Sequence, residues 1–148
     1  MHQPAVATLR RSSLFAGLDE RQLARLIDRL HVEEVPAGTV ITREGDHGSR
    51  LWCLEEGEVA VRCGAVEITR LGAGATIGEM ELIDLQPRSA TVVALTPCRL
   101  LGLDLADILA LQREDLPAFT LVVMNLARDL SRRLRGMDLA ASRRDGRT

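Results

Sequence analysis

The chain predicts a mainly β domain, an antiparallel barrel or sandwich of about eight short strands with one helix before it and two after. Three observations predict it. Between Val32 and Leu103, β-branched runs alternate with glycine-bearing turns, as in "EEVPAGTVITREGD", "RLWCLEEGEVAVRC", "VEITRLGAGATIGE" and "SATVVALTPCRLLGL". The turn signals recur about every 8 to 12 residues, and strands that short must close or stack for each to bury one face. On either side of this stretch, the apolar residues change to the spacing of an amphipathic helix.

The elements follow in order. In "LFAGLDERQLARLIDRL", Asp19 is an N-cap with Gln22 three residues on, and Leu23, Leu26, Ile27 and Leu30 then fall on one helical face. Residues 1–11 precede this helix as an N-terminal extension. After the strands, helix resumes near Leu105 with Asp104 as a possible cap, and "LADILALQREDLP" ends at Pro117. A final helix is predicted from about Pro117 to Leu139, with Val123, Leu126, Ala127, Leu130, Leu134 and Met137 along one stripe. Residues 141–148 read as a disordered tail, which leaves one domain over residues 12–140.

Composition narrows the function classes. The 148 residues, 46% hydrophobic and 27% charged, suit a single globular core. No apolar stretch approaches the ~20 residues a membrane span needs. "MHQPAVATLRRSSLF" lacks a signal peptide's unbroken apolar run, so a soluble cytoplasmic protein is expected. Cys53, Cys63 and Cys98 are odd in number and widely spaced in β-like runs; this suggests reduced thiols, with neither a disulfide framework nor a zinc site. His2, His31 and His47 lie apart with no serine or cysteine motif beside them, so no enzyme is expected. All 19 basic residues are arginine, and seven of them fall in the last 21 residues. With 2% aromatics and no tyrosine, that basic end has no stacking platform for nucleic acid, and a solvated helix face is the simpler reading.

Two stretches raise the question of a ligand. "GAGATIG", with Gly72, Gly74 and Gly78, is GxGxxxG on β flanks and so fails the dinucleotide pattern of GxGxxG between strand and helix. "IGEMELIDLQPRSATV" has a different logic. After Gly78, "EMELID" can form one helical turn whose first amides face an anion, and Arg88 can return a planar, bidentate fork to the same place. Glu79 would be repelled by a phosphate and suits a neighbouring hydroxyl, such as a ribose; Ser89 adds a hydroxyl, and Ala90 leaves the backbone open to close approach. On charge alone, an exposed salt bridge between Glu79 and Arg88 is the simpler reading.

This stretch closely resembles the phosphate-binding cassette of cyclic nucleotide-binding domains of the catabolite activator and protein kinase A regulatory-subunit type. That pattern runs F/I-G-E-L/M-A-L, a short turn, then P-R-S/T-A-T-V. "REGDHGSRLWCLEEGEVAV", with Gly45, Gly48 and Gly57, and "MNLARDLSRRLR" resemble the family's upstream strands and C-terminal lid helix. The resemblance covers about residues 12–140 and implies an eight-stranded, jelly-roll-like β-roll barrel with an N-terminal helix and two C-terminal helices. It implies cAMP or cGMP as ligand and no metal. Arg88, Ser89 and Ala90, with the amides of Met80, Glu81 and Leu82, would hold the phosphate. Gly78 and Glu79 would hold the ribose, with Arg133 reaching the same carboxylate. Ile68 and Thr69 would line the base pocket, and Met137 and Asp138 fall where the lid meets the base.

One residue departs from the family pattern. Where the cassette has Ala, Gly, Ser or Cys, this chain has Glu81. Pointing outward it would favour the helix start and offer only its amide; pointing inward it would repel a phosphate and weaken binding.

Nine residues follow Leu139, too few for a helix-turn-helix, so no direct DNA binding is expected. The expected function is a stand-alone cyclic nucleotide receptor that moves its C-terminal helices to regulate an unknown protein partner, with a homodimer through the last helix possible. Two alternatives stay open. The same fold could bind a cyclic dinucleotide or nothing and act as a dimerisation or interaction module, or the chain could be the regulatory piece of a larger channel, transporter or transcription factor. The receptor reading expects Arg88→Leu to abolish binding and leave the melting temperature of the ligand-free protein nearly unchanged.

Overall fold

The computed structural model describes residues 3–84 and 86–144, with side chains described over 5–84 and 86–136. Eight antiparallel strands form: β1 (His31–Val35), β2 (Val40–Thr42), β3 (Arg50–Glu56), β4 (Val59–Cys63), β5 (Val66–Leu71), β6 (Thr76–Ile77), β7 (Thr91–Ala94) and β8 (Cys98–Asp104). They make two four-stranded sheets in the orders β1-β8-β3-β6 and β2-β7-β4-β5. This is the expected β-roll, with its two sheets not closed into a continuous barrel. Gly57, at φ 108, makes the β3–β4 turn, and a Cβ there would meet Cys98 and the Pro97 carbonyl.

The sheet containing β3 and β8 is covered on both sides, which explains the near-continuous apolar run "CRLLGL". Alternate residues take opposite faces. Leu51, Cys53, Leu101 and Leu103 join the helices in one core. Leu54, Cys98 and Leu100 meet Val59, Val92 and Ala94 of the other sheet in a second.

The helices are α1 (Gln3–Arg11), α2 (Glu20–Ile27), α3 (Leu105–Glu114) and α4 (Leu116–Arg144). α2 starts at the predicted capping box: Gln22 N donates to Asp19 Oδ1 at 2.8 Å, and Asp19 N donates to Gln22 Oε1 at 3.0 Å. Residues 3–11, read as an extension, form α1, which seats Ala5 and Leu9 in the helical core. Asp104 precedes α3 without capping it, because its carboxylate is drawn to Arg50 Nε at 3.0 Å. α3 ends at Glu114, short of the predicted Pro117. Asp115 Oδ1 then accepts from Ala118 N at 3.2 Å, which puts Pro117 in the first turn of α4, where its missing N–H costs nothing.

Asn125 holds α4 in place. Its buried amide donates to the carbonyls of Leu14 and Ala16 at 3.0 and 2.8 Å. The buried face of α4 is Ala118, Val122 and Leu126, so the predicted stripe is rotated: Val122 joins it and Ala127 is exposed. Residues 131–136 are all exposed, Leu134 among them. The helical backbone continues to Arg144, into the stretch read as a tail, and residues 145–148 lie outside those described. No described helix is long and apolar enough to cross a membrane.

Candidate functional site

Ile77, at the end of β6, is buried in the inter-sheet core, and the chain leaves it through Gly78 at φ 84, a left-handed conformation that favours glycine. A short 3-10 turn follows over Glu79–Leu82. Met80 and Leu82 pack against the helical core, which anchors the turn and leaves Glu79 and Glu81 to find polar partners.

The return limb is fixed by its backbone. Gly45 N donates to the Arg88 carbonyl at 2.8 Å, and Arg88 N donates to the Asp46 carbonyl at 2.7 Å. These two bonds set the Arg88 Cα beside the turn before β3. Its side chain then runs inward and is 7% exposed, although the residue is charged. The guanidinium passes so close to Gly48 and Gly78 that a Cβ at either would collide with it. Neither position has room for a side chain.

The Arg88 guanidinium has three partners here among the described residues. Nη2 donates to the Arg50 carbonyl at 2.8 Å, and Nε lies 2.6 Å from Glu81 Oε1. The guanidinium carbon stands 5.7 Å from the centre of the Trp52 ring, within cation–π range. Nη1, buried against Gly78, has no hydrogen-bond partner among the described residues. The 2.6 Å approach of Glu81 is an ion contact without hydrogen-bond alignment, and Oε1 is likewise left unsatisfied. The other oxygen, Oε2, accepts from Gly48 N at 3.0 Å.

A cavity of about 210 Å³ opens here, lined in part by Gly78, Met80, Glu81, Arg88, Ser89 and Ala90. Behind it, Glu79 is buried with only 7% of its side chain exposed, and Oε1 accepts from Arg133 Nη2 of α4 at 3.0 Å. A nearly buried guanidinium with an unmet donor, beside a carboxylate tied to a helix, can take an anion and a hydroxyl together.

Residues 32–115, more than half of the chain, match the cyclic nucleotide-binding domain family. The chain belongs to that family. It is 44% identical over 94 residues to a cyclic nucleotide-gated potassium channel of Mesorhizobium japonicum, a match spanning 64% of this chain and 26% of the channel. It is similar in structure to the Thermus thermophilus catabolite activator protein, with TM-score 0.75 and 38% identity over 88% of this chain and 62% of that one. The regulatory domain of Toxoplasma gondii protein kinase A, crystallised with cAMP, gives TM-score 0.69 and 30% identity over 73% of this chain and 43% of that one. The chain thus spans about a quarter of the channel and under two thirds of either solved chain.

Within this family member, the residues expected at a ligand fall into four groups. Gly78, Met80, Glu81, Arg88, Ser89 and Ala90 share the cavity, while the Leu82 side chain turns into the core. Glu79 and Arg133 are joined behind it. Ile68 and Thr69 stand exposed on β5, the edge strand of its sheet, away from the cavity lining. The side chains of Met137 and Asp138 lie outside those described.

Sequence reasoning missed the surroundings of Arg88: the Arg50 carbonyl and Trp52, which meet its guanidinium, and the Gly48 amide, which holds the Glu81 carboxylate beside it. Gly48 is a glycine for a reason the structure supplies: the Arg88 guanidinium lies where its Cβ would be. Cys53 and Cys98 are buried and Cys63 is half-buried, and all three are free thiols. Among the described residues no cluster could hold a metal ion.

Proposed function

We propose that this domain is a cyclic nucleotide receptor, taking cAMP or cGMP, that turns ligand binding into a movement of α4 and so regulates a partner. One observation carries the reading: Arg88 is nearly buried with an unmet Nη1 beside a cavity, next to a carboxylate already bonded to α4. The cyclic phosphate would meet Arg88, the Ser89 hydroxyl and the amides of Met80, Glu81, Leu82 and Ala90. The ribose 2′-hydroxyl would donate to Glu79 beside Gly78, sharing that carboxylate with Arg133. Ile68 and Thr69 would meet the base, and Met137 and Asp138 would approach it from α4.

The mechanism is a population shift, in which a ligand preferring one placement of α4 pulls the helix there. Taking an equilibrium from 1:99 to 99:1 needs ~5.5 kcal/mol of differential affinity, and charge-assisted bonds of ~1.5–3 kcal/mol each supply much of it. The exposed end of α4, with Leu134, is available to a partner or to a second copy in a homodimer. The role is regulatory and not enzymatic.

One observation favours a second reading, the same fold with another ligand or none: the Glu81 carboxylate already sits on Arg88. Mass spectrometry of small molecules released from purified protein, followed by calorimetry with cAMP and cGMP, separates the two. Recovery of a cyclic mononucleotide, or heat at micromolar concentration, supports the receptor. Absence of heat with both nucleotides on folded protein supports the second reading.

A further inference from the structure

Bidentate capture of a phosphate by arginine uses two parallel donors on one edge of the guanidinium. On Arg88 the side-on edge is formed by Nε and Nη2, and protein oxygens stand against both: the Arg50 carbonyl accepts from Nη2 at 2.8 Å, and Glu81 Oε1 lies in ion contact 2.6 Å from Nε. The Glu81 side chain is 11% exposed and that of Arg88 7%, so water screens this contact little. Glu81 is therefore an anion held within the chain at the place where the proposed ligand would bring its own. Its second oxygen is tied to Gly48 N at 3.0 Å, in the turn that also fixes the Arg88 backbone through Gly45 and Asp46.

We infer that Glu81 is a built-in competitor for Arg88, a carboxylate that the ligand phosphate must displace, so that this residue sets the affinity threshold of the site. The inference rests on the receptor reading above and deepens it. Two anions cannot share one buried guanidinium without strong repulsion, so binding and the Glu81–Arg88 contact are mutually exclusive. The apparent dissociation constant is the intrinsic one divided by the fraction of molecules in which Arg88 is free. Displacement also releases Gly48 N, so the turn ahead of β3 feels the ligand together with the cassette. The burial of Glu81, its 2.6 Å ion contact with Arg88 and its Oε2 bond to Gly48 N distinguish it from a surface charge that merely lowers the local potential.

The test is calorimetric titration of cAMP and cGMP into wild type, Glu81→Gln and Glu81→Ala, each checked for folding by circular dichroism. Glu81→Gln keeps the shape and removes the charge. If Arg88 is free in about one molecule in ten, both variants bind about 10-fold more tightly than wild type. Adding Arg88→Leu to Glu81→Gln should then abolish the gain. Binding by the variants with none by wild type also supports the inference. Equal or weaker binding by the variants overturns it and leaves the receptor standing. A gain in Glu81→Ala without one in Glu81→Gln overturns it in favour of simple crowding. Heat from none of the three proteins removes the receptor reading, and this inference with it.

Discussion

Arg133 Nη2 lies 3.0 Å from Glu79 Oε1, a bond that joins the exposed second half of α4 to the buried corner after β6. It is the single described side-chain hydrogen bond between the 3-10 turn Glu79–Leu82 and α4, so a change at Glu79 has a direct route into the helix.

Glu79→Ala tests the hydroxyl role. A hydrogen bond to a charged group contributes ~1.5–3 kcal/mol, so cAMP affinity should fall by about one to two orders of magnitude. The 2′-deoxy analogue has no hydroxyl to lose and should be nearly unaffected. Calorimetry on both ligands decides, and equal losses would remove Glu79 from ribose recognition.

Arg88→Leu should abolish binding, but the near-constant melting temperature expected from sequence does not survive the geometry. Removing Arg88 strands the Glu81 carboxylate, 11% exposed, with the Gly48 amide. Breaking a buried pair from one side costs about 3–5 kcal/mol. Denaturant unfolding should show that loss in Arg88→Leu and recover much of it in Arg88→Leu with Glu81→Leu, since a pair of apolar groups leaves no buried charge.

Asp104 gives a pH signature. Its hydrogen bond to Arg50 holds the carboxyl below the ordinary carboxylate range, with His31 adding a smaller pull. A carboxyl lowered on folding stabilises the protein above its unfolded value, near 3.9, and loses that effect as pH falls through the folded value. Asp104→Asn should therefore have a lower denaturation midpoint than wild type at neutral pH, and the gap should close below about pH 4.

Thiol labelling should follow burial. Desolvation pushes the Cys53 thiol up to about 12, and the side chain is fully buried, so it should stay unlabelled at pH 8, where reaction needs a thiolate. Cys63 is half-buried and its Sγ donates to the Ser89 carbonyl at 3.4 Å. It should react first, and cAMP docking at Ser89 should slow it.

Leu9→Ala tests whether α1 belongs to the domain. Leu9 is 0% exposed within the helical core, and truncating such a side chain costs about 2–5 kcal/mol. A midpoint unchanged from wild type would make α1 dispensable.

What the sequence displayed and what it concealed divide along physical lines. The eight strands were legible because turn glycines and β-branched runs are local signals, and Asp19 with Gln22 announced α2 for the same reason. Asp104 misled because a capping preference loses to a guanidinium from a strand 54 residues away. α1 was concealed because its polar and basic residues outweigh the apolar ones that pack, and only the tertiary contact singles out Ala5 and Leu9. At the site, Glu79, Glu81 and Arg88 were all visible as charges. Which of the two carboxylates meets Arg88 was decided by the left-handed Gly78 and the core packing of Met80 and Leu82, neither of which is written in the local string.

The exposed β5 strand has a cost in handling. Val66 and Ile68 are 67% and 58% exposed on a strand whose outer row of amides and carbonyls faces no neighbour in its sheet. Such a border invites another chain to add itself, and charges along it are the usual deterrent. Arg70 supplies one, bonded at 3.1 Å to Glu67 on the same strand. Neutralising that pair would convert the rim into an adhesive seam, with turbidity in concentrated solution as the first sign.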